Sequence, residues 1–91
     1  MTKQKFLDIL AEYPGVTNIG VVFSDYSSIE VLISSVNIRY WEIKISYSCI
    51  TDSVTYIIID GLPYSNCQSH MIRELLAISN FLGKNGITVN S

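Results

Sequence analysis

Residues 37–47 read Asn-Ile-Arg-Tyr-Trp-Glu-Ile-Lys-Ile-Ser-Tyr. Trp41, Ile43, Ile45 and Tyr47 fall on one side of a period-two repeat, and Tyr40, Glu42, Lys44 and Ser46 on the other. A strand with one face in a core and one face in water produces that pattern. Antiparallel sheets permit it; all-parallel sheets, covered on both faces, rarely do. The stretch therefore predicts a half-covered antiparallel sheet, with Trp41, Ile43 and Ile45 against whatever covers it.

The remaining segments fit around that strand. Residues 2–13 predict a helix capped by Thr2, with Phe6, Leu7, Leu10, Ala11 and Tyr13 as its apolar stripe. Pro14 disfavours helical geometry at the residue before it and ends the helix there. Ile19, Val21 and Phe23 alternate against Gly20, Val22 and Ser24, and Ile29, Val31 and Ile33 against Glu30, Leu32 and Ser34. Asp25-Tyr26-Ser27-Ser28 supplies turn chemistry, so the two runs predict a hairpin. Residues 54–60 form a fourth strand, apolar on both faces, which Gly61 and Pro63 end.

Ser65-Asn66-Cys67-Gln68 has capping-box spacing and predicts the start of a second helix at Ser65. Met71, Leu75, Ile78 and Leu82 form its stripe, and Gly83 is the expected stop. Ile87-Thr88-Val89 is either a short edge strand or a frayed tail. The expected fold is a single α+β domain over residues 1–91: a four-stranded antiparallel meander, with both helices packed on one face. The other face then carries Val22, Leu32, Tyr40, Glu42 and Lys44, a mixed surface with solvent or a partner over it.

Composition narrows the function classes. A net charge of −2 argues against nucleic-acid binding, which needs clustered Lys and Arg to displace counterions. Helix–strands–helix is also the order of double-stranded RNA-binding domains. Those domains read phosphates with basic residues at the start of the last helix, where this chain has Ser65-Asn66-Cys67-Gln68-Ser69-His70. The order matches and the chemistry does not. No apolar run approaches the roughly 20 residues needed to span a bilayer, and Asp8 and Glu12 interrupt the one start that resembles a signal peptide. Two cysteines are too few for a disulfide scaffold, so a cytoplasmic location with reduced thiols is the expectation.

No catalytic, metal or cofactor motif accompanies the fold. Cys67, expected in the first helical turn with His70 three residues on, is the best nucleophile candidate. It lacks a third residue to orient the pair, so catalysis is not expected. Cys-x-x-His supplies two of the four ligands a structural zinc needs, and His70 with Glu74 reads as a solvated helix pair. The glycines form no phosphate cradle.

What remains is contact surface. The charged fraction of 15% is low against roughly 25% for soluble domains, and the chain has six tyrosines. Tyr13, Tyr47 and Tyr56 keep step with apolar stripes and are expected in the core rim. Tyr26, Tyr40 and Tyr64 do not, and tyrosine is favoured at interfaces. The expected function is that of a small non-enzymatic protein-binding module of the inhibitor or immunity type, for example a phage-encoded anti-defence protein that blocks a nuclease or toxin. Its contact residues would be Tyr26, Leu32, Tyr40, Glu42, Lys44 and Tyr64, with no cofactor. The alternative is a homo-oligomeric subunit that associates through the open sheet face or an edge strand.

Overall fold

A computed structural model of the chain describes residues 2–90. Helix α1 (Lys3–Ala11) precedes four strands, β1 (Val16–Ser24), β2 (Ser28–Ser35), β3 (Ile38–Ser48) and β4 (Ser53–Ile59). A single 3-10 turn (Tyr64–Asn66), helix α2 (Ser69–Lys84) and a two-residue strand β5 (Thr88–Val89) complete the order. The sheet follows chain order, β1-β2-β3-β4-β5, antiparallel throughout except for the parallel β4–β5 pair. The α+β meander with helices at its two ends is therefore the fold, and residues 88–89 are a strand.

One sheet face and the two helices enclose the core. Three rows of paired residues supply the sheet side: Ile29–Tyr47–Val54, Val31–Ile45–Ile57 and Ile33–Ile43–Ile59. Phe6, Ile9 and Leu10 of α1 and Met71, Leu75, Ile78 and Leu82 of α2 pack onto them. Phe6 stacks on Tyr47 with ring centroids 4.6 Å apart, and Tyr13 meets the edge of Phe81 at 5.3 Å. Thr2 caps α1 by accepting from the Lys5 amide at 3.1 Å. Gly15 turns the chain into β1 with φ +98°, and a side chain there would crowd Asn37 and Val36 at 3.1 and 3.3 Å.

Helix α2 departs from expectation at both ends. It starts at Ser69 rather than Ser65, because residues 64–66 close a tighter turn: the Asn66 amide donates to the Pro63 carbonyl at 2.9 Å and the Cys67 amide to the Tyr64 carbonyl at 3.1 Å. Cys67 is thus extended backbone ahead of the helix, outside the expected first turn. Gln68 occupies the N-cap position. At the other end Gly83 is an ordinary helical residue, and Gly86 makes the stop with φ +85°. The Gly86 amide donates to the Gly83 carbonyl and the Ile87 amide to the Leu82 carbonyl, a left-handed cap with Ile87 buried beneath it. That cap aims residues 88–89 along β4.

β-bulges in β1, β3 and β4 change which side chains share a face. On β4, Val54 pairs with Tyr47 but Tyr56 with Ser46, so Thr55 is the extra residue. Val21 pairs with Val31 but Phe23 with Glu30, so Val22 is the extra residue and the alternation of β1 reverses there. Phe23, expected on the helix side, stands in the open-face row with Glu30, Ser46 and Tyr56. On β3, residues 39–42 stand opposite Ser34 alone. Tyr40 takes left-handed backbone there, φ +71°, which costs of order 1–3 kcal/mol for a side chain of this kind. Trp41 follows it and is half-buried at the core margin, beside Gly61 in the loop after β4, rather than deep beneath the helices. Trp41→Ala should accordingly lower unfolding stability by about 2 kcal/mol, less than the roughly 3–5 kcal/mol of a fully buried aromatic. Denaturant titration of the purified variant measures it.

Candidate functional site

The face of the sheet opposite the helices is bare of any other element among the described residues. Its paired rows run Gly20–Leu32–Lys44–Ile58 and Phe23–Glu30–Ser46–Tyr56. Glu42 and Asp60 extend it at one end, where the Asp60 amide donates to the Glu42 carbonyl at 2.8 Å. Phe23 and Ile58 are exposed and Leu32 is half-buried; Phe23 lies diagonal to Leu32, and Lys44 separates Leu32 from Ile58 within one row.

Lys44 sits at the centre of the charged part. Its Nζ lies 3.6 Å from Glu30 Oε1 and 3.5 Å from Asp60 Oδ1. Tyr56 donates its hydroxyl to Glu30 Oε2. Burial, the hydrogen bond to Glu30 and the nearby negative charges push the Tyr56 hydroxyl up to about 12, so it stays a donor at neutral pH. Half-exposed pairs of this kind add little stability, typically below about 1 kcal/mol each. Their effect is positional: Glu30 and Lys44 are held between neighbours instead of sampling solvent.

The expected contact residues do not form one patch. Leu32, Glu42 and Lys44 lie on the open face, although Lys44 is half-buried within its ion pairs. Tyr40 projects from the β3 bulge at the rim and is 96% exposed. Tyr26 is 91% exposed in the β1–β2 turn, at the other end of the sheet. Eight strand residues separate the two ends, roughly 25 Å at about 3.3 Å per residue. Tyr64 stands in the 3-10 turn beyond β4 and lines the cleft between β4 and α2. Val22, the bulge residue of edge strand β1, is exposed beside Val21 and Phe23.

The Asp25 turn is well built. Its Oδ1 accepts from the Ser27 and Ser28 amides at 2.9 and 2.8 Å and from both serine hydroxyls. The Ser27 bonds chiefly hold the carboxyl below the usual carboxylate range. Lys3 reaches from α1 to Ser24 Oγ at 2.9 Å and to the Asp25 carbonyl, fixing the turn that presents Tyr26.

One polar cluster lies inside the fold. Glu74, expected as a solvated partner of His70, is only 5% exposed. Its Oε1 accepts from the Tyr13 hydroxyl, and its Oε2 from the Ser35 hydroxyl and from Asn37 Nδ2 at 3.0 Å. Burial first, and then the bond to Glu74, raise the Tyr13 hydroxyl well above its ordinary value. The signal was present in the sequence: Glu74 falls three residues after Met71 and four before Ile78, on the buried stripe. All three donors are neutral and the carboxylate is enclosed, so the cluster reads as a clamp joining α2 to α1 and the β2–β3 turn.

Cys67 and Cys49 are both free thiols, and the Cys67 Sγ faces the Pro63 carbonyl at 3.6 Å. No group of three or more His, Cys, Asp or Glu side chains that could hold a metal occurs among the described residues. No helix among them is long and apolar enough to cross a membrane. The chain matches no protein-family model, no curated protein and no solved structure.

Proposed function

We propose that this protein is a small protein-binding module that works through the open face of its sheet. The observation that carries the reading is the composition of that face: Phe23 and Leu32 on one side and Ile58 on the other flank a tethered Glu30–Lys44–Asp60 cluster, with both helices on the far side of the sheet. Apolar area with oriented polar groups around it is how protein interfaces are built. Tyr40 adds a second support, since a fully exposed aromatic on left-handed backbone is a costly arrangement in an isolated domain. Within this class the narrower reading is an inhibitor or immunity-type protein, such as a phage-encoded anti-defence protein, that acts by covering a nuclease or toxin.

The test is affinity capture from the native host with the parent chain and a Phe23→Ser, Leu32→Ser double variant. Neither side chain is in the buried core, so the variant should keep its circular dichroism spectrum. The expected result is a protein enriched by the parent at least tenfold over the variant, the loss typical when central contacts are removed. Equal capture by both would place the contact elsewhere.

Strand β1 favours a second reading, self-association. It is an edge strand without a charged residue, and Val21, Val22 and Phe23 are all exposed along it. Edges of this kind invite pairing unless blunted. Light scattering across a concentration series separates the readings: a dimer that persists in the micromolar range favours the subunit, and a monomer the binding module.

A further inference from the structure

We infer, resting on the open-face reading, that the partner is a protein with a basic surface, one arginine of which seats between Glu42 and Asp60. The open face carries three carboxylates, Glu30, Glu42 and Asp60, against one ammonium, that of Lys44. Elsewhere in the chain five acidic residues stand against five basic ones. The whole formal net charge of −2 therefore lies on this one surface.

The charge is concentrated further at one end of the face. Ile43 pairs with Ile59, and the Asp60 amide donates to the Glu42 carbonyl at 2.8 Å, so Glu42 and Asp60 are direct cross-strand neighbours. Ile43 and Ile59 are buried in the core, and strand alternation turns both carboxylates the other way. Like charges placed directly opposite on a sheet repel. Lys44 relieves only part of this, because its one ammonium is shared between Asp60 at 3.5 Å and Glu30 at 3.6 Å. Glu42 is exposed and makes no ion pair among the described residues. An unneutralised carboxylate thus stands beside a half-neutralised one.

A cation supplied by a partner completes the set. Side chains opposite each other across two strands are about 5 Å apart at Cβ, and a planar guanidinium, with its fork of N–H donors, can serve both carboxylates at once. Ile58 is exposed two residues before Asp60 on the same face, which gives the aliphatic stem of an arginine an apolar surface to lie on. Glu30 and Lys44 are already held by their neighbours, so little side-chain freedom is lost there on docking. The same charge disfavours a nucleic acid, and a second copy of this face would bring its own excess of carboxylates.

The probe is a blocked peptide with leucine, arginine and leucine at alternate positions and serine between them, titrated into the isotope-labelled full chain at low salt. Its control carries citrulline in place of arginine, which removes the charge and keeps the shape. The expected result is saturable amide shifts at residues 42–44 and 58–60, with the citrulline peptide roughly tenfold weaker and the preference fading as salt rises. Glu42→Gln with Asp60→Asn, both outside the core, should bring the two peptides to equal affinity. Equal affinity of the two peptides for the parent chain, shifts that map elsewhere, or no saturable shift would each overturn the proposal. Capture from the host separates it from the reading it rests on. The Glu42→Gln, Asp60→Asn variant should retain the captured protein roughly tenfold less than the parent. Capture lost in Phe23→Ser, Leu32→Ser but undiminished in Glu42→Gln, Asp60→Asn would keep the open face as the site and overturn the basic partner. Capture unaffected by either pair would overturn both.

Discussion

Phe6→Ala should lower the unfolding free energy by about 3–5 kcal/mol, the range for truncating a fully buried aromatic. Phe6 is completely enclosed, and its ring stacks on Tyr47, itself wholly buried in β3. Removing it deletes the main apolar group of a nine-residue helix that is too short to be stable without packing. The void cannot be filled from above, because α1 carries only Ile9 and Leu10 as further buried residues. Against a total stability of roughly 5–10 kcal/mol for a domain of this size, such a loss leaves a substantial unfolded fraction on mild warming. Urea titration followed by far-ultraviolet circular dichroism measures it. A change below about 1 kcal/mol would mean that α1 contributes little to the core.

Glu74→Ala should cost about 3 kcal/mol, and Glu74→Gln about 1 kcal/mol. The alanine variant strands the buried Tyr13 and Ser35 hydroxyls, and an unsatisfied buried donor costs about 1–3 kcal/mol. Glutamine keeps the volume and one acceptor oxygen. The Tyr13 hydroxyl can turn to accept from the new amide, so the variant loses chiefly the charge-assisted part of the bonds. The ordering of the two variants is the informative result. If glutamine were as damaging as alanine, the negative charge itself would be required. If alanine were harmless, the carboxylate would be solvated and the clamp between α1 and α2 absent. Binding through the open face should survive Glu74→Gln, because the clamp lies on the helix side of the sheet.

Local pattern alone specified α1, the four antiparallel strands and their order of pairing. The alternation of Ile43, Ile45 and Tyr47 against Lys44 and Ser46 survives in the structure, since burying one face of a strand fixes its register. Thr2 and Pro14 punctuate α1 through bonds and clashes within a few residues, so they act independently of the rest of the chain. The division of the tyrosines followed the same logic for five of the six: Tyr13 and Tyr47 keep step with apolar stripes and are buried, and Tyr26, Tyr40 and Tyr64 are exposed. Tyr56, expected in the core rim, stands half-buried on the open face against Glu30.

The tertiary structure decided where the pattern shifts by one residue. A bulge inserts an extra residue whose position depends on the partner strand, and period-two reading has no term for it. Phe23 therefore crosses to the open face, and Trp41 moves from the core to its margin. Gly83 and Gly86 both offer a helix stop, and burial of Ile87 under the cap selects the second. Glu74 looks like a surface residue until α1 and the β2–β3 turn bring Tyr13, Ser35 and Asn37 around it, from 61, 39 and 37 residues away. The cleft beside β4 is likewise legible only in three dimensions, because its lining comes from β4, the 3-10 turn, α2 and β5. Sequence determined what each segment prefers, by interactions within a few residues; the folded chain decided which distant groups meet, because burial makes those preferences compete for one core.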